Sequence, residues 1–88
     1  MDFEIKKSFE KDIAKIRDKK LLLSIYNTIE HIQQAETVRE IENIKKLTGY
    51  KKQYRIKIGD YRLGFFVEKN IVFLVRFLHR KDIYRFFP

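Results

Sequence analysis

Hydrophobic residues recur along this chain with two different periods, and the change of period divides it into a helical first half and a β-rich second half. Phe3 and Ile5 alternate with charged neighbours, as in a short strand. Ser8 then stands as a helix N-cap, with Phe9, Ile13 and Ile16 following at helical spacing. A second helix is predicted to start near Asp18 or Lys19, its buried stripe being Leu22, Ile25, Tyr26, Ile29 and Ile32. Two such helices joined by a short turn make an antiparallel pair. Thr37-Val38-Arg39-Glu40 has the spacing of a capping box. It predicts a short third helix with Ile41 and Ile44 inward, ended by Gly49.

From Tyr54 the period becomes two. Tyr54, Ile56 and Ile58 alternate with Arg55 and Lys57, and Gly59-Asp60 forms a tight loop before the alternating run Tyr61 to Val67. A two-residue Gly-Asp loop between such runs is a hairpin signal of the I′ or II′ kind. Glu68-Lys69-Asn70 reads as a second turn and Ile71 to Phe77 as a further strand. The segment His79 to Pro88 reads as a turn and a short helix. The order β-α-α-β-β-β implies one α+β domain over 1–88, a small antiparallel sheet with the two N-terminal helices on one face.

Charge changes the picture. Residues 1–44 carry 8 Lys+Arg against 9 Asp+Glu, whereas residues 45–88 carry 12 against 3. The formal charge of +8 therefore belongs to the second half. Such polarity points to a polyanionic partner, nucleic acid first, with an acidic protein or a membrane surface as alternatives. Cysteine is absent and the two histidines are far apart, which excludes a disulfide framework and argues against a metal site or cofactor. The first residues lack a basic run followed by an apolar stretch, and no window has the length of a membrane span, so a cytoplasmic location is expected.

The hairpin register concentrates the charge. With Gly59-Asp60 as the loop, Ile58 lies opposite Tyr61, Lys57 opposite Arg62 and Arg55 opposite Gly64. Tyr54, Ile56, Ile58, Tyr61, Leu63, Phe65 and Val67 then face the helices, while Arg55, Lys57 and Arg62 share the other face, with Arg76 expected beside Arg62. Like charges across a ladder cost a few tenths to about 1 kcal/mol each. The bland alternative is a solvated face whose charges deter aggregation. The sharper reading is a surface for RNA, to which Lys51, Lys52, Arg76, Lys81 and Arg85 would add contacts. Cleavage by a 2′-hydroxyl needs a base, charge stabilisation of the phosphorane and a proton for the leaving oxygen. Neither a carboxylate pair nor a histidine pair is at hand. Neighbouring positive charge favours a neutral lysine, making Lys57 the candidate base. Arg80 would brace the phosphate, and Tyr84 or His79 would donate or stack.

Leu47-Thr48-Gly49, the stretch Tyr54-Arg55-Ile56-Lys57-Ile58-Gly59-Asp60-Tyr61-Arg62-Leu63 and the segment His79-Arg80-Lys81-Asp82-Ile83-Tyr84-Arg85 together resemble the RelE/ParE toxins of type II toxin–antitoxin systems, over essentially the whole chain. The resemblance implies a RelE-like fold related to microbial RNases and cleavage of mRNA on the ribosome by basic residues of the sheet face. Arg55, Lys57, Arg62 and Arg80 fall on its basic positions, with Arg55 where the best-known members have lysine. Arginine stays protonated, so Arg55 is not the base. Tyr84 stands a few residues closer to the last arginine than the family's catalytic tyrosine does. In some relatives histidines act instead, a part His79 would take. The resemblance also implies an antitoxin that wraps the toxin and covers its basic site. The ParE branch shares the fold but poisons DNA gyrase without nuclease chemistry, and is the alternative.

Overall fold

The structure is a computed structural model and describes all residues, 1–88. Its elements are β1 (Asp2–Ile5), α1 (Lys7–Ala14), α2 (Lys19–Gln34), a 3-10 turn (Val38–Glu40), β2 (Ile44–Lys46), β3 (Gln53–Ile58), β4 (Tyr61–Glu68), β5 (Ile71–His79) and α3 (Arg80–Phe86). The strands form one sheet in the order β1-β5-β4-β3-β2. Every neighbouring pair is antiparallel except β1 with β5, which is parallel. None of the helices is long and apolar enough to cross a membrane.

Local chemistry accounts for the helix boundaries, with three corrections to the sequence reading. Asp18 caps α2 as expected, its carboxylate accepting from the Lys20 and Leu21 amides at 2.9 and 3.3 Å. Ser8 does not cap α1. The helix starts two residues earlier, after Lys6 in extended backbone, and the Ser8 hydroxyl donates to the Val75 carbonyl. Tyr26 leaves the buried stripe of α2 and is 61% exposed, because Ile25 beside it already takes the inward position. The capping box at Thr37 and Glu40 forms, yet the helix it opens lasts a single turn. Asn43 adopts φ 59°, and Ile44–Lys46 then pair with β3 as an added edge strand. Hydrogen bonding along the exposed edge of β3 outcompetes three further residues of helix.

The β3–β4 hairpin has the predicted register, Ile58 opposite Tyr61, Lys57 opposite Arg62 and Arg55 opposite Gly64. Gly59 has φ 58° and Asp60 is not left-handed, which selects the II′ turn. The next loop is only Lys69-Asn70, both left-handed, while Glu68 stays in the strand opposite Ile71. Between Gly64 and Phe65 the register with β5 shifts, since Gly64 pairs with Arg76 and Phe65 with Leu74, leaving Val75 as the extra residue. The bulge reverses the alternation. Leu74 and Phe77 both join the core under α1 and α2, while Val75 and Leu78 pack beneath α3.

The main core unites Phe9, Ile25 and Ile32 with Ile56, Leu63, Phe65, Leu74 and Phe77. A smaller cluster, Leu47, Ile83 and Phe87, holds α3 on the opposite face of the sheet. Gly64 makes that contact possible, because a Cβ there would stand 2.7 Å from the Phe87 ring. Gly64→Ala is therefore expected to destabilise the fold by about 1–3 kcal/mol, the usual range for overpacking, and to loosen α3 first. Urea melts followed by hydrogen exchange of the α3 amides check this.

Candidate active site

The face of the sheet away from α1 and α2 carries a cavity of about 240 Å³, lined by Asn43, Lys45, Arg55, Lys57, Arg62 and Tyr84. Three strands, the turn before β2 and one helix supply these side chains. Strand alternation turns Arg55 and Lys57 outward because Tyr54, Ile56 and Ile58 go inward. Cross-strand pairing sets Lys45 opposite Arg55 and Lys57 opposite Arg62. Two like-charge pairs thus sit side by side. The only ion pairs in the protein are Lys52 with Glu68 and Arg76 with Asp12. All four cavity cations therefore lack a carboxylate partner within 4.0 Å.

Two contacts fix the walls. The Arg55 guanidinium lies over the Tyr84 ring, 4.4 Å from its centroid, which ties β3 to α3. Arg62 donates from Nη1 to the Gly59 and Tyr61 carbonyls at 3.0 and 2.9 Å. Those bonds orient the guanidinium and leave its remaining N–H groups free. On the other side of the site, the Asn43 carbonyl accepts from the Lys57 amide at 3.1 Å, locking the start of β2 to the strand that carries Lys57. The arrangement concentrates positive charge in a concavity built to take an anion, with one phenol at its margin.

A family model described as the ParE toxin of the type II toxin–antitoxin system, parDE, matches residues 3–84. Toxin RelE3 of Methanocaldococcus jannaschii is 41% identical over 61 residues, covering 68% of this chain and 69% of the relative. The chain belongs to the RelE/ParE superfamily of toxins. The toxin chain in a crystal structure of a RelB-RelE antitoxin-toxin complex from Methanococcus jannaschii superposes with a TM-score of 0.81 at 34% identity, over 96% of this chain and 98% of that one. A RelE-RelB complex from Pyrococcus horikoshii OT3 shares the fold with a TM-score of 0.73 at 20% identity, over 90% and 93% of the two chains.

Of the toxin's residues singled out by sequence, Arg55, Lys57, Arg62 and Tyr84 come together in the cavity. Arg76 does not join them. The bulge turns it toward α1, where Asp12 accepts from its Nε and Nη2 at 2.8 and 3.1 Å. That hydrogen bond, more than the Coulomb attraction, raises the Arg76 pKa against the opposing effect of burial. His79 is also elsewhere. It caps α3, its Nδ1 accepting from the Lys81 amide, and its ring packs edge-on against Tyr61. Arg80 opens α3 outside the cavity lining, its amide donating to the Asp60 carbonyl at 2.8 Å. Lys81 and Arg85 are exposed on α3, and Lys51 and Lys52 lie in the β2–β3 loop, Lys52 beside Glu68 at 3.5 Å.

Sequence reasoning missed Asn43 and Lys45, because it placed both in a helix. The available signal was the asparagine itself, one of the few residue types that enters the left-handed region readily. Its position between Ile41 and Ile44 marks where the helical spacing gives way to a turn.

Proposed function

We propose that this toxin is an endoribonuclease that cuts mRNA on translating ribosomes by attack of a 2′-hydroxyl on the adjacent phosphorus. What carries the reading is the set of four cations, Lys45, Arg55, Lys57 and Arg62, gathered in one cavity without a carboxylate among them. A scissile phosphate seated there supplies the missing negative charge. Lys57 accepts the 2′-hydroxyl proton. Arg55 and Arg62 stabilise the equatorial oxygens as charge builds on them, the kind of contact worth most in a transition state. Tyr84, held against Arg55, is placed at the margin where the 5′-oxygen departs and needs a proton. The family resemblance supports the ribosomal setting and an antitoxin that covers this face, and the RelB in the Methanococcus jannaschii complex supports a cognate antitoxin as partner. A partly acidic wrapping segment suits the +9 half of the chain.

Primer extension on a reporter mRNA after brief induction tests the reading, beside a Lys57→Ala plus Arg62→Ala variant. Discrete cuts inside translated frames, absent with the variant, are expected. A second reading has one observation in its favour, the ParE description of the matching family model. It is a gyrase poison. Intact mRNA during growth arrest, with arrest retained by the variant, would transfer the assignment to it.

Lys45, absent from any sequence-based list, should behave as a phosphate contact. Lys45→Ala is expected to weaken RNA binding equally across sequences. It should also reduce the slope of log affinity against log salt by roughly 0.7, the value for one phosphate on a single strand. Anisotropy titrations between 50 and 200 mM salt, the range over which such slopes are resolved, read both effects.

A further inference from the structure

Beside the cationic cavity lies a second one of about 290 Å³, and the two share Lys45, Arg55 and Tyr84 as their common wall. Its chemistry differs. The remaining lining is Leu47, Thr48, Tyr50, Phe87 and Pro88, apolar and aromatic except for the threonine. Leu47 and Phe87 are buried members of the small core under α3, so the floor is rigid. Tyr50 and Tyr84 rise from it at 49% and 70% exposure, large aromatic surfaces of which Arg55 covers one face of Tyr84. Tyr50 is held by the turn Leu47-Thr48-Gly49-Tyr50, closed by a bond from its amide to the Leu47 carbonyl at 3.3 Å, with Gly49 at φ 84°. The hydroxyl of Thr48 has no intramolecular partner, and no Asp or Glu side chain lines the cleft.

We infer that this cleft is a nucleobase subsite, in which the base of a nucleotide whose phosphate occupies the cationic cavity lies against Tyr50 and Tyr84, with Thr48 presenting a hydroxyl to its edge. The inference rests on the nuclease reading and extends it by naming where the substrate's base goes. Each half of the composite site asks for a different half of a nucleotide. An array of Lys and Arg binds phosphate but gains nothing from a neighbouring apolar floor. An aromatic cleft walled by cations binds a flat, polarisable ring by stacking and by cation–π contact, which is how single-stranded RNA bases are held. Because Arg55 already lies over Tyr84 and lines both cavities, it links the two halves. Stacking tolerates every base, so the cleft contributes affinity and register, and the single Thr48 hydroxyl leaves it only a modest preference among bases.

The test is a thermodynamic cycle using a short single-stranded oligonucleotide whose 2′-hydroxyls are replaced by hydrogen, so that it cannot be cut, in intact form and with one abasic position moved along it. Affinities of the wild-type chain and of Tyr50→Ala are compared by anisotropy. Tyr50→Ala is expected to weaken the intact oligonucleotide about tenfold, the usual effect of losing one stacking aromatic. With the abasic position in register, wild type and variant should bind alike. Tyr50→Phe should retain the affinity of the wild type, which separates stacking from any role of the phenol. An equal loss with intact and abasic strands, or no loss with either, would overturn the subsite. A wild-type chain that fails to bind the oligonucleotide at all would overturn the subsite, while mRNA cuts on induction would leave the nuclease reading standing. Binding with abasic sensitivity but without mRNA cuts on induction would leave the subsite standing and remove only the nuclease chemistry.

Discussion

Lys57→Ala is expected to lower the rate of mRNA cleavage by about 10²- to 10⁴-fold, the contribution of a positioned proton acceptor, while leaving the thermal melt unchanged. The side chain is exposed and makes neither an ion pair nor a hydrogen bond, so nothing in the fold depends on it. Its removal even relieves a like-charge pair with Arg62. The informative comparison is Lys57→Arg. Arginine keeps the charge at that position but stays protonated, so it can hold the phosphate and cannot take the 2′-hydroxyl proton. RNA affinity should therefore survive in Lys57→Arg and fall in Lys57→Ala, with cleavage slow in both. Single-turnover rates on a defined mRNA measure this. Full cleavage by Lys57→Arg would mean that charge alone matters at Lys57, and the base would have to be sought elsewhere in the cavity.

The largest effect on stability is expected from Asp12→Ala, about 3 kcal/mol, the lower end of what breaking a buried ion pair costs. Asp12 is the one buried charged residue, and it accepts three hydrogen bonds, from Arg76 Nε and Nη2 and from the Phe77 amide at 2.9 Å. β1 pairs with β5 only through Leu74, so the edge of β5 beyond it has no strand beside it. The Asp12 carboxylate and the Ser8 hydroxyl serve that edge instead, one bonding Phe77 and the other Val75. Alanine leaves a buried amide without an acceptor, which costs about 1–3 kcal/mol, and leaves Arg76 without its counter-ion. The lower end of the range applies because the Arg76 side chain remains 24% exposed and water reaches it. Asp12→Asn, which keeps an acceptor for Phe77, should fall between the two. Chemical denaturation at neutral pH gives the values. A raised arginine pKa stabilises the fold below the ordinary arginine value and loses its effect only above it. Arg76 itself should therefore add no pH dependence anywhere in the working range. A loss below 1 kcal/mol in Asp12→Ala would show that the edge of β5 is satisfied without α1.

Much of the site was legible because a two-residue hairpin loop leaves little freedom. Gly59-Asp60 sets the register, the register sets the faces, and Arg55, Lys57 and Arg62 follow onto the outer one. The same reasoning failed at Arg76, because it carried strict alternation through a strand that contains a bulge. Nothing in Leu74-Val75-Arg76-Phe77 announces the extra residue. It sits beside contacts made by Gly64, Phe87 and Asp12, which come from distant parts of the chain. His79 stands outside the cavity for a related reason, since a histidine before a short helix is also available as its N-cap.

The chain's own periodicities determined the class of fold, the two N-terminal helices, the hairpin and the gathering of charge on its outer face. These follow from local rules in which each residue answers to neighbours within a turn or a paired strand. The tertiary structure alone decided that Ile44–Lys46 form an edge strand, that Arg76 leaves the basic face for Asp12, and that Tyr84 is brought against Arg55 from the far end of the chain. The edge strand is decided by the neighbouring β3, and the other two by partners remote in sequence. A hydrogen-bonding edge, a buried carboxylate or an open ring face exerts its pull only once the sheet has brought it within reach.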